Sequence, residues 1–291
     1  MTSSSFDVAI VGGGPGGSAT ALSLKAHAPS LAVVLIEASR YQEIRIGETL
    51  PPPARPILEH LGVWEAFRAQ GHREVHGTTA VWGAAAPLDN DFIYMPANTG
   101  WHLDRAAFDA MLAERAASQG VVLILDTRLR DAMRVVKEWR LTLSTGRILF
   151  VRFIVDATGG AAAFARRCGA RFVDSDRLIG IARFFEGGAE DPRTLVEAFD
   201  EGWWYTAGLP AGRRIAACMT DADLARRMRL KEVETWRRML AGMFNVGAML
   251  RGSKPCSPVV IRSTESRRLE PAAGDAWLAV GDAASRFDPM A

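Results

Sequence analysis

Along the N-terminal stretch, apolar and polar positions fall into blocks that predict a strand, a turn, a helix and a second strand. Val8 to Val11 is a short unbroken apolar run, as a strand buried on both faces requires. It halts at Gly12-Gly13-Gly14-Pro15-Gly16-Gly17, and Ala, Leu and Ser follow with helical character. A second apolar run, Ala32 to Ile36, predicts another strand and closes on Glu37. Pro51, Pro52, Pro53 and Pro56 then delay a helix in which Ile57, Leu58, Leu61 and Trp64 recur at helical spacing. From Val75 to Trp82 the pattern turns strand-like, and a loop and a second short strand near Phe92 follow. Asp104 suits the N-cap of a helix that carries Phe108, Met111 and Leu112 on one face and ends before Gly120.

Three short strands are expected next, at about 133 to 136, 139 to 143 and 148 to 155, with Gly146 in the turn between the last two. The third runs into Asp156-Ala157-Thr158-Gly159, a strand-to-loop switch where backbone can come near a ligand. From about Ala161 to Glu270 the strand–turn–helix pattern is absent. Strands are expected there at Leu178 to Phe185, Trp203 to Leu209 and Arg214 to Met219. An amphipathic helix follows, its buried stripe formed by Leu224, Met228, Val233, Trp236 and Leu240. The fold class is therefore α/β: a Rossmann-like nucleotide-binding domain with a β-meander, and an interleaved α+β substrate domain with an antiparallel sheet. The second domain is expected to lie as a lid over the reactive end of the ligand. No repeats and no low-complexity segments occur.

Composition narrows the function classes. A length of 291 residues suffices for about two domains. Hydrophobic content of 48% and charged content of 23% are those of a globular chain, not a disordered one. A net charge of +2 exerts no strong pull toward nucleic acid or membrane, and neither is expected as a partner. Cys168, Cys218 and Cys256 are far apart, which fits a reducing compartment and argues against a disulfide framework or a zinc site. His72 and His76 sit in H-R-E-V-H, which is not H-E-x-x-H, and strand-like residues follow, so no metal is expected. MTSSSFD offers no signal peptide, and no apolar run approaches the roughly 20 residues that span a bilayer. A cytoplasmic location is expected. No G-x-S-x-G elbow supports nucleophilic hydrolysis.

Gly12, Gly14 and Gly17 meet the G-x-G-x-x-G spacing, with Pro15 and Gly16 inside it. The turn is tight, the backbone must approach a pyrophosphate, and the helix must pack hard on the strand. Unpaired amides at the helix N-terminus then face the phosphates. Glu37 lies about twenty residues after Gly17, where a carboxylate reaches a ribose hydroxyl. Glycines alone also suit a surface loop. Strand, helix and acid together point to a bound dinucleotide.

The glycine motif, the DATG at Asp156 to Gly159 and the pair Gly281-Asp282 come in an order that resembles the FAD-dependent monooxygenases of the para-hydroxybenzoate hydroxylase fold. Arg45-Ile46-Gly47-Glu48 and GDAASRFDP, from Gly281 to Pro289, look like the branch shared with flavin-dependent halogenases and geranylgeranyl reductases. The resemblance covers essentially the whole chain. It implies FAD as cofactor, an FAD-binding domain made of 1–74, 101–160 and 271–291, and a substrate domain made of 75–100 and 161–270. It also implies that Gly12, Gly14, Pro15, Gly16, Gly17, Glu37, Asp156, Gly159, Gly281 and Asp282 hold the cofactor. Asp282 would accept a hydrogen bond from the ribityl chain. Arg105 resembles the arginine that neutralises the pyrophosphate, Arg45 is similarly placed after the acidic strand, and backbone around Pro289 would lie beside the isoalloxazine ring, where oxygen reacts. Plainer roles compete: Asp282 as cap of a following helix, Arg105 and Arg45 as exposed arginines in a chain with only Lys25, Lys137, Lys231 and Lys254 as lysines.

The chemistry implied is hydroxylation of an electron-rich aromatic ring through a flavin C4a-hydroperoxide, with NAD(P)H or a separate reductase as electron source and water kept out of the pocket. Phe184, Phe185, Trp203, Trp204 and Tyr205 suit such a pocket and equally suit core packing. The halogenases need a lysine after the GET segment, and none occurs between Lys25 and Lys137; their W-x-W-x-I-P stretch is unmatched at Gly202 to Gly208. Halogenation is disfavoured. RIGETLPP and GDAASRFDPMA also look similar to flavoproteins that hydroxylate a tryptophan in a partner polypeptide during tryptophylquinone biogenesis. Arg226, Arg227, Arg229, Arg237 and Arg238 either attract such a partner or form a solvated helix face. A double-bond reductase and a non-catalytic partner-binding flavoprotein stay open, and no oligomeric state is indicated. In the family, Phe287 to Ala291 begins a helix against the flavin with many residues beyond it. The chain is therefore read as a truncated or natural short form lacking the C-terminal part, and is expected to retain flavin weakly or not at all.

Overall fold

The structure is a computed structural model that describes residues 4–84, 86–174 and 176–290, the side chain of residue 174 excepted. The first three residues and Ala291, which belong to the expected leader-free N-terminus and to the expected C-terminal helix start, lie outside the described residues.

The apolar runs form the middle of an eight-stranded sheet. Ser4–Val11 pairs in parallel with Val33–Ile36 on one side and Ile148–Asp156 on the other. Val122–Ile124 and Trp277–Ala279 extend the parallel set outward. Every residue of Val33–Ile36 is buried, the condition that favours an unbroken apolar strand. Helices Pro15–His27 and Arg105–Ser118 build one core with Ile10, Leu22, Leu35 and Leu112. The meander of Leu129–Val135, Glu138–Leu143 and Ile148–Asp156 builds the other with Leu141, Phe164 and Trp277. Asp104 caps its helix, with Oδ1 accepting from the Ala107 amide at 3.1 Å.

A second eight-stranded sheet has Leu178–Glu186, Arg213–Asp221, Gly202–Gly208 and Thr194–Phe199 as antiparallel neighbours. Gly77–Val81 joins Thr194–Phe199 in parallel, and Leu88–Asp91 completes a hairpin with it. Thr194–Phe199 is a strand the sequence pattern does not predict.

Two expected elements are rearranged. The stripe from Ile57 to Trp64 is divided between Ala54–His60 and Trp64–Ala69, because Gly62 turns the chain at φ +66°, and Ile57 is left exposed. The single helix expected from Leu224 to Leu240 is two, Ala222–Arg227 and Val233–Gly242, separated by Arg229 at φ +58°. Val233 faces solvent, and Ala225, Leu230, Trp236 and Leu240 form the buried side. The short strand expected near Phe92 is Leu88–Asp91, which ends just before it, and Phe92 itself opens a 3-10 turn. Among the described residues no helix is long and apolar enough to cross a membrane.

Candidate cofactor site and substrate face

Loops at the carboxyl ends of four adjacent parallel strands carry the residues of interest. Gly12 to Gly17 follows Ser4–Val11, Glu37 follows Val33–Ile36, Ala157 to Gly159 follows Ile148–Asp156, and Gly281-Asp282 follows Trp277–Ala279 closely. That edge is where open α/β sheets take ligands. A Cβ on Gly12, whose φ is +111°, would stand 2.2 Å from the Ala157 carbonyl oxygen; one on Gly17 would stand 1.9 Å from the Gly12 carbonyl oxygen. Packing of the chain itself requires both. Gly14 differs, because nothing lies within 4 Å of its Cβ position. Its backbone is left bare at the head of a helix that Pro15 opens. Gly16 abuts the other end of the chain: the Gly281 Cα is 3.5 Å from its Cβ position.

Glu37 is buried, and its Oε2 accepts from the Gly13 amide at 2.8 Å. Its Oε1 accepts from the Ser39 amide at 3.0 Å, the Ser39 hydroxyl at 2.5 Å and Arg45 Nη2 at 3.3 Å. The Tyr41 hydroxyl donates to the Gly13 carbonyl at 2.9 Å, and Arg45 lies over the Tyr41 ring at 4.9 Å. Arg45 Nη1 meets Asp109 Oδ2 at 2.7 Å, and Arg105 Nε meets Asp109 Oδ1 at 3.1 Å. Arg105 Nη1 also donates to the Ile46 and Gly47 carbonyls at 2.9 and 2.8 Å. Neither arginine is a free surface cation. Burial works against the Arg45 charge, and the hydrogen bond and charge of Asp109 outweigh it, so its pKa lies above the ordinary value. Asp109, which joins the two arginines, was missed in the sequence. The available signal is its place four residues after Arg105 on one helix face.

The Asp156 carboxylate is turned inward. It accepts from Thr158 N at 2.9 Å and Oγ1 at 2.6 Å, and from the Phe164 and Ala165 amides at 2.9 and 2.8 Å. What the segment presents to a ligand is backbone, with Gly159 at φ +64°. Gly281 and Asp282 lie in a three-residue 3-10 turn that strand Ser285–Arg286 follows. No long helix starts there, so the capping role for Asp282 lapses. Its side chain is 63% exposed and lies 3.5 Å from Arg286 Nε. Pro289 is exposed beyond it. These residues fit an FAD: the bare Gly14 backbone and helix N-terminus would take the pyrophosphate, Glu37 the ribose and Asp282 the ribityl chain.

Alternation along the second sheet divides the aromatic set. Phe184, Trp203 and Tyr205 share a face with Ala217, Met219 and the partly buried Ile46. Phe185 and Trp204 face the other way and pack on Trp236, with ring centroids 6.2 and 5.1 Å away. These two are core, so only three aromatics remain for a substrate face. Behind Tyr205 sits Glu48, 3% exposed, whose Oε2 accepts from the Gly47 amide at 3.0 Å. The Tyr205 hydroxyl lies close enough to it for each to act on the other's protonation. Burial raises the Glu48 pKa, and burial with the neighbouring Glu48 raises that of Tyr205 far above the ordinary phenol value.

His102 ties this sheet to the helix-bearing half: its Nδ1 is 2.8 Å from the Gly208 carbonyl and its Nε2 is 2.8 Å from Thr194 Oγ1. Burial pushes His102 down to about 4, and does the same to His72. In the arginine-rich segment, Arg227, Arg229 and Arg237 pair with Glu201, Glu232 and Glu234 at 3.7, 2.6 and 2.7 Å, as a solvated face does. Among the described residues no three His, Cys, Asp or Glu side chains gather as a metal would require.

The FAD binding domain family matches residues 5–291, and the chain belongs to that family. It is 28% identical over 294 residues to LodB, described as an FAD-dependent oxidoreductase, from Marinomonas mediterranea, an alignment covering 98% of this chain and 79% of LodB. The myxobacterial chondrochloren halogenase CndH superposes with a TM-score of 0.89 at 23% identity, over 99% of this chain and 70% of CndH. The peptidyl tryptophan dihydroxylase QhpG, of tryptophylquinone cofactor biogenesis, superposes with a TM-score of 0.71 at 23% identity, over 99% of this chain and 62% of QhpG. The protein is an FAD-dependent flavoprotein of the oxidoreductase class.

Proposed function

We propose that the protein is a monooxygenase that hydroxylates an electron-rich aromatic ring, and that its substrate is a tryptophan side chain in a partner polypeptide. When bound, the flavin supplies reducing equivalents and the site at which oxygen is activated. The residues of the chain hold the dinucleotide through the glycine loop and Glu37, and shield the reacting region with Phe184, Trp203 and Tyr205, whose burial keeps water away. The observation that carries the reading is the position of the lysines. Lys25 is tied to the Pro29 and Leu31 carbonyls, Lys137 lies in the turn between two meander strands, and Lys231 and Lys254 are exposed. Lys254, opposite Glu186 on an edge strand, shares the Phe184 side of the sheet but comes from the far half of the chain; no lysine follows the GET segment between Lys25 and Lys137, where the resemblance to halogenases calls for one. The structural likeness to the halogenase CndH keeps halogenation as the second reading.

Mass spectrometry separates the two. The protein, loaded with FAD, is supplied with chemical reductant, air and halide, and given a tryptophan-containing polypeptide or free aromatic compounds. The expected product is the polypeptide heavier by oxygen. A halogen in place of hydrogen, a saturated double bond in an anaerobic reaction, or a stoichiometric complex without product would each overturn the reading.

A further inference from the structure

We propose that Asp109, Glu48 and Tyr205 are positioning residues that couple the ribose end of the cofactor site to the substrate face, a regulation that rests on the flavoenzyme reading above. The contacts are continuous. Glu37 Oε1 meets Arg45 at 3.3 Å, Arg45 meets Asp109 at 2.7 Å, and Asp109 meets Arg105 at 3.1 Å. Arg105 holds the Ile46 and Gly47 carbonyls, Ile46 packs on the aromatic face, the Gly47 amide donates to Glu48, and Glu48 lies beside Tyr205 in the middle of that face. Arg105 and Gly47 are fitted to each other: a Cβ on Gly47, at φ +97°, would stand 2.5 Å from Arg105 Nη1. Asp109 and Glu48 are 1% and 3% exposed, so the links at these two carboxylates lie in poorly solvated ground and are strengthened, while Gly47 between them is exposed.

The chain has a point of exchange. Glu37 Oε1 already accepts three hydrogen bonds, and that of Arg45 is the longest of them. A ribose hydroxyl donating to this oxygen displaces Arg45 first. Arg45 then rests on Asp109 and Ser39, the carboxylate shared with Arg105 is redistributed, and the peptide before Glu48 shifts with Arg105. The substrate face thus takes its final arrangement once the ribose is in place, which makes cofactor and substrate binding favour each other. Coupling of this kind is reciprocal and is commonly worth about 5–150-fold in affinity.

ADP tests this in the full chain, because it carries the ribose and pyrophosphate without the ring. Hydrogen–deuterium exchange should slow on ADP binding at residues 44–50 and at 202–208. In Tyr205→Phe, ADP should bind with unchanged affinity and protect 44–50, while the protection at 202–208 disappears. In Asp109→Asn, ADP affinity should fall about 10-fold, and saturating ADP should no longer protect 202–208. A merely structural Tyr205 would lower the melting temperature and leave the ADP response of 202–208 intact. That result overturns the proposal, as does a wild-type protein in which ADP fails to bind or leaves 202–208 unchanged. If Asp109→Asn does not fold, the Tyr205→Phe arm decides. None of these readouts depends on turnover, so the hydroxylase reading stands or falls separately by product mass.

Discussion

At the end of the candidate cofactor site proposed for the ribose, a buried glutamate has both oxygens engaged by four donors of the protein itself. At the ring end, the Asp282 side chain is 63% exposed and faces Arg286 at 3.5 Å. The first end is largely assembled: its hydrogen bonds exist before any ligand arrives, and only the long one from Arg45 has to yield. The second presents an acid whose work begins when the ligand is there. Substitutions at the ribose end should therefore register in stability, and those at the ring end in binding alone.

The sharpest break of this comparison lies within the glycine loop. Gly17→Ala drives a methyl to 1.9 Å from the Gly12 carbonyl oxygen. Backbone on both sides leaves no flexible atom to yield, and a loss of about 3 kcal/mol or more is expected. Gly12→Ala adds strain at φ +111° and should cost a similar amount. Gly14→Ala meets nothing within 4 Å, so its urea midpoint should stay within about 0.5 kcal/mol of wild type while FAD affinity falls. Equal destabilisation of the Gly14 and Gly17 variants would show that the loop is not divided between packing and binding as argued.

The glycine loop and Glu37 were legible because their constraints are local: strand, turn, helix and acid follow one another along the chain. The parts that were not legible depend on distant partners. Glu197 interrupts the apolar run of Thr194–Phe199 and hides that strand, yet its carboxylate is satisfied by the Asn245 and Val246 amides at the head of another helix. Arg229 breaks a helix at a left-handed φ with no glycine to announce it. Phe184 and Phe185 are adjacent in sequence and face opposite cores. Glu48 stood in a recognised motif, but only the fold shows that it meets Tyr205. Asp109 was within reach of helical spacing alone.

Acid sharpens the comparison next. His72 and His102 flank the start of the Arg105 helix, and no histidine occurs after residue 102. The buried His102 ring has its pKa lowered from 6.5 to about 4, so the unfolded chain takes up the proton first. Stability is full above about 6.5, falls as pH drops below it, and the loss from this group is complete near 4, amounting to about 3 kcal/mol. Melting curves between pH 7 and 4 should show that slope together with a similar one from His72, and His102→Asn, whose amide can still donate to the Gly208 carbonyl, should remove only the His102 share. Hydrogen exchange at pH 5 should open residues 100–102 and 194–208 before 277–286. An opening that begins at 277–286 would mean that the segments held by the buried His102 are not the first to yield to acid.

The smallest effect on stability is expected from Asp282→Asn. An exposed carboxylate facing one arginine at 3.5 Å contributes little in water, so the melting temperature without ligand should move by less than the equivalent of about 0.5 kcal/mol. With FAD the outcome differs, because a hydrogen bond from a ribityl hydroxyl to a charged acceptor is worth about 1.4 kcal/mol more than one to the neutral amide oxygen that asparagine keeps. FAD affinity, followed by quenching of flavin fluorescence, should then fall about tenfold, while ADP affinity should not change, since ADP has no ribityl chain. The ADP control separates the ends cleanly. A weakened ADP complex would mean that Asp282 serves the phosphates and that the two ends share their acids.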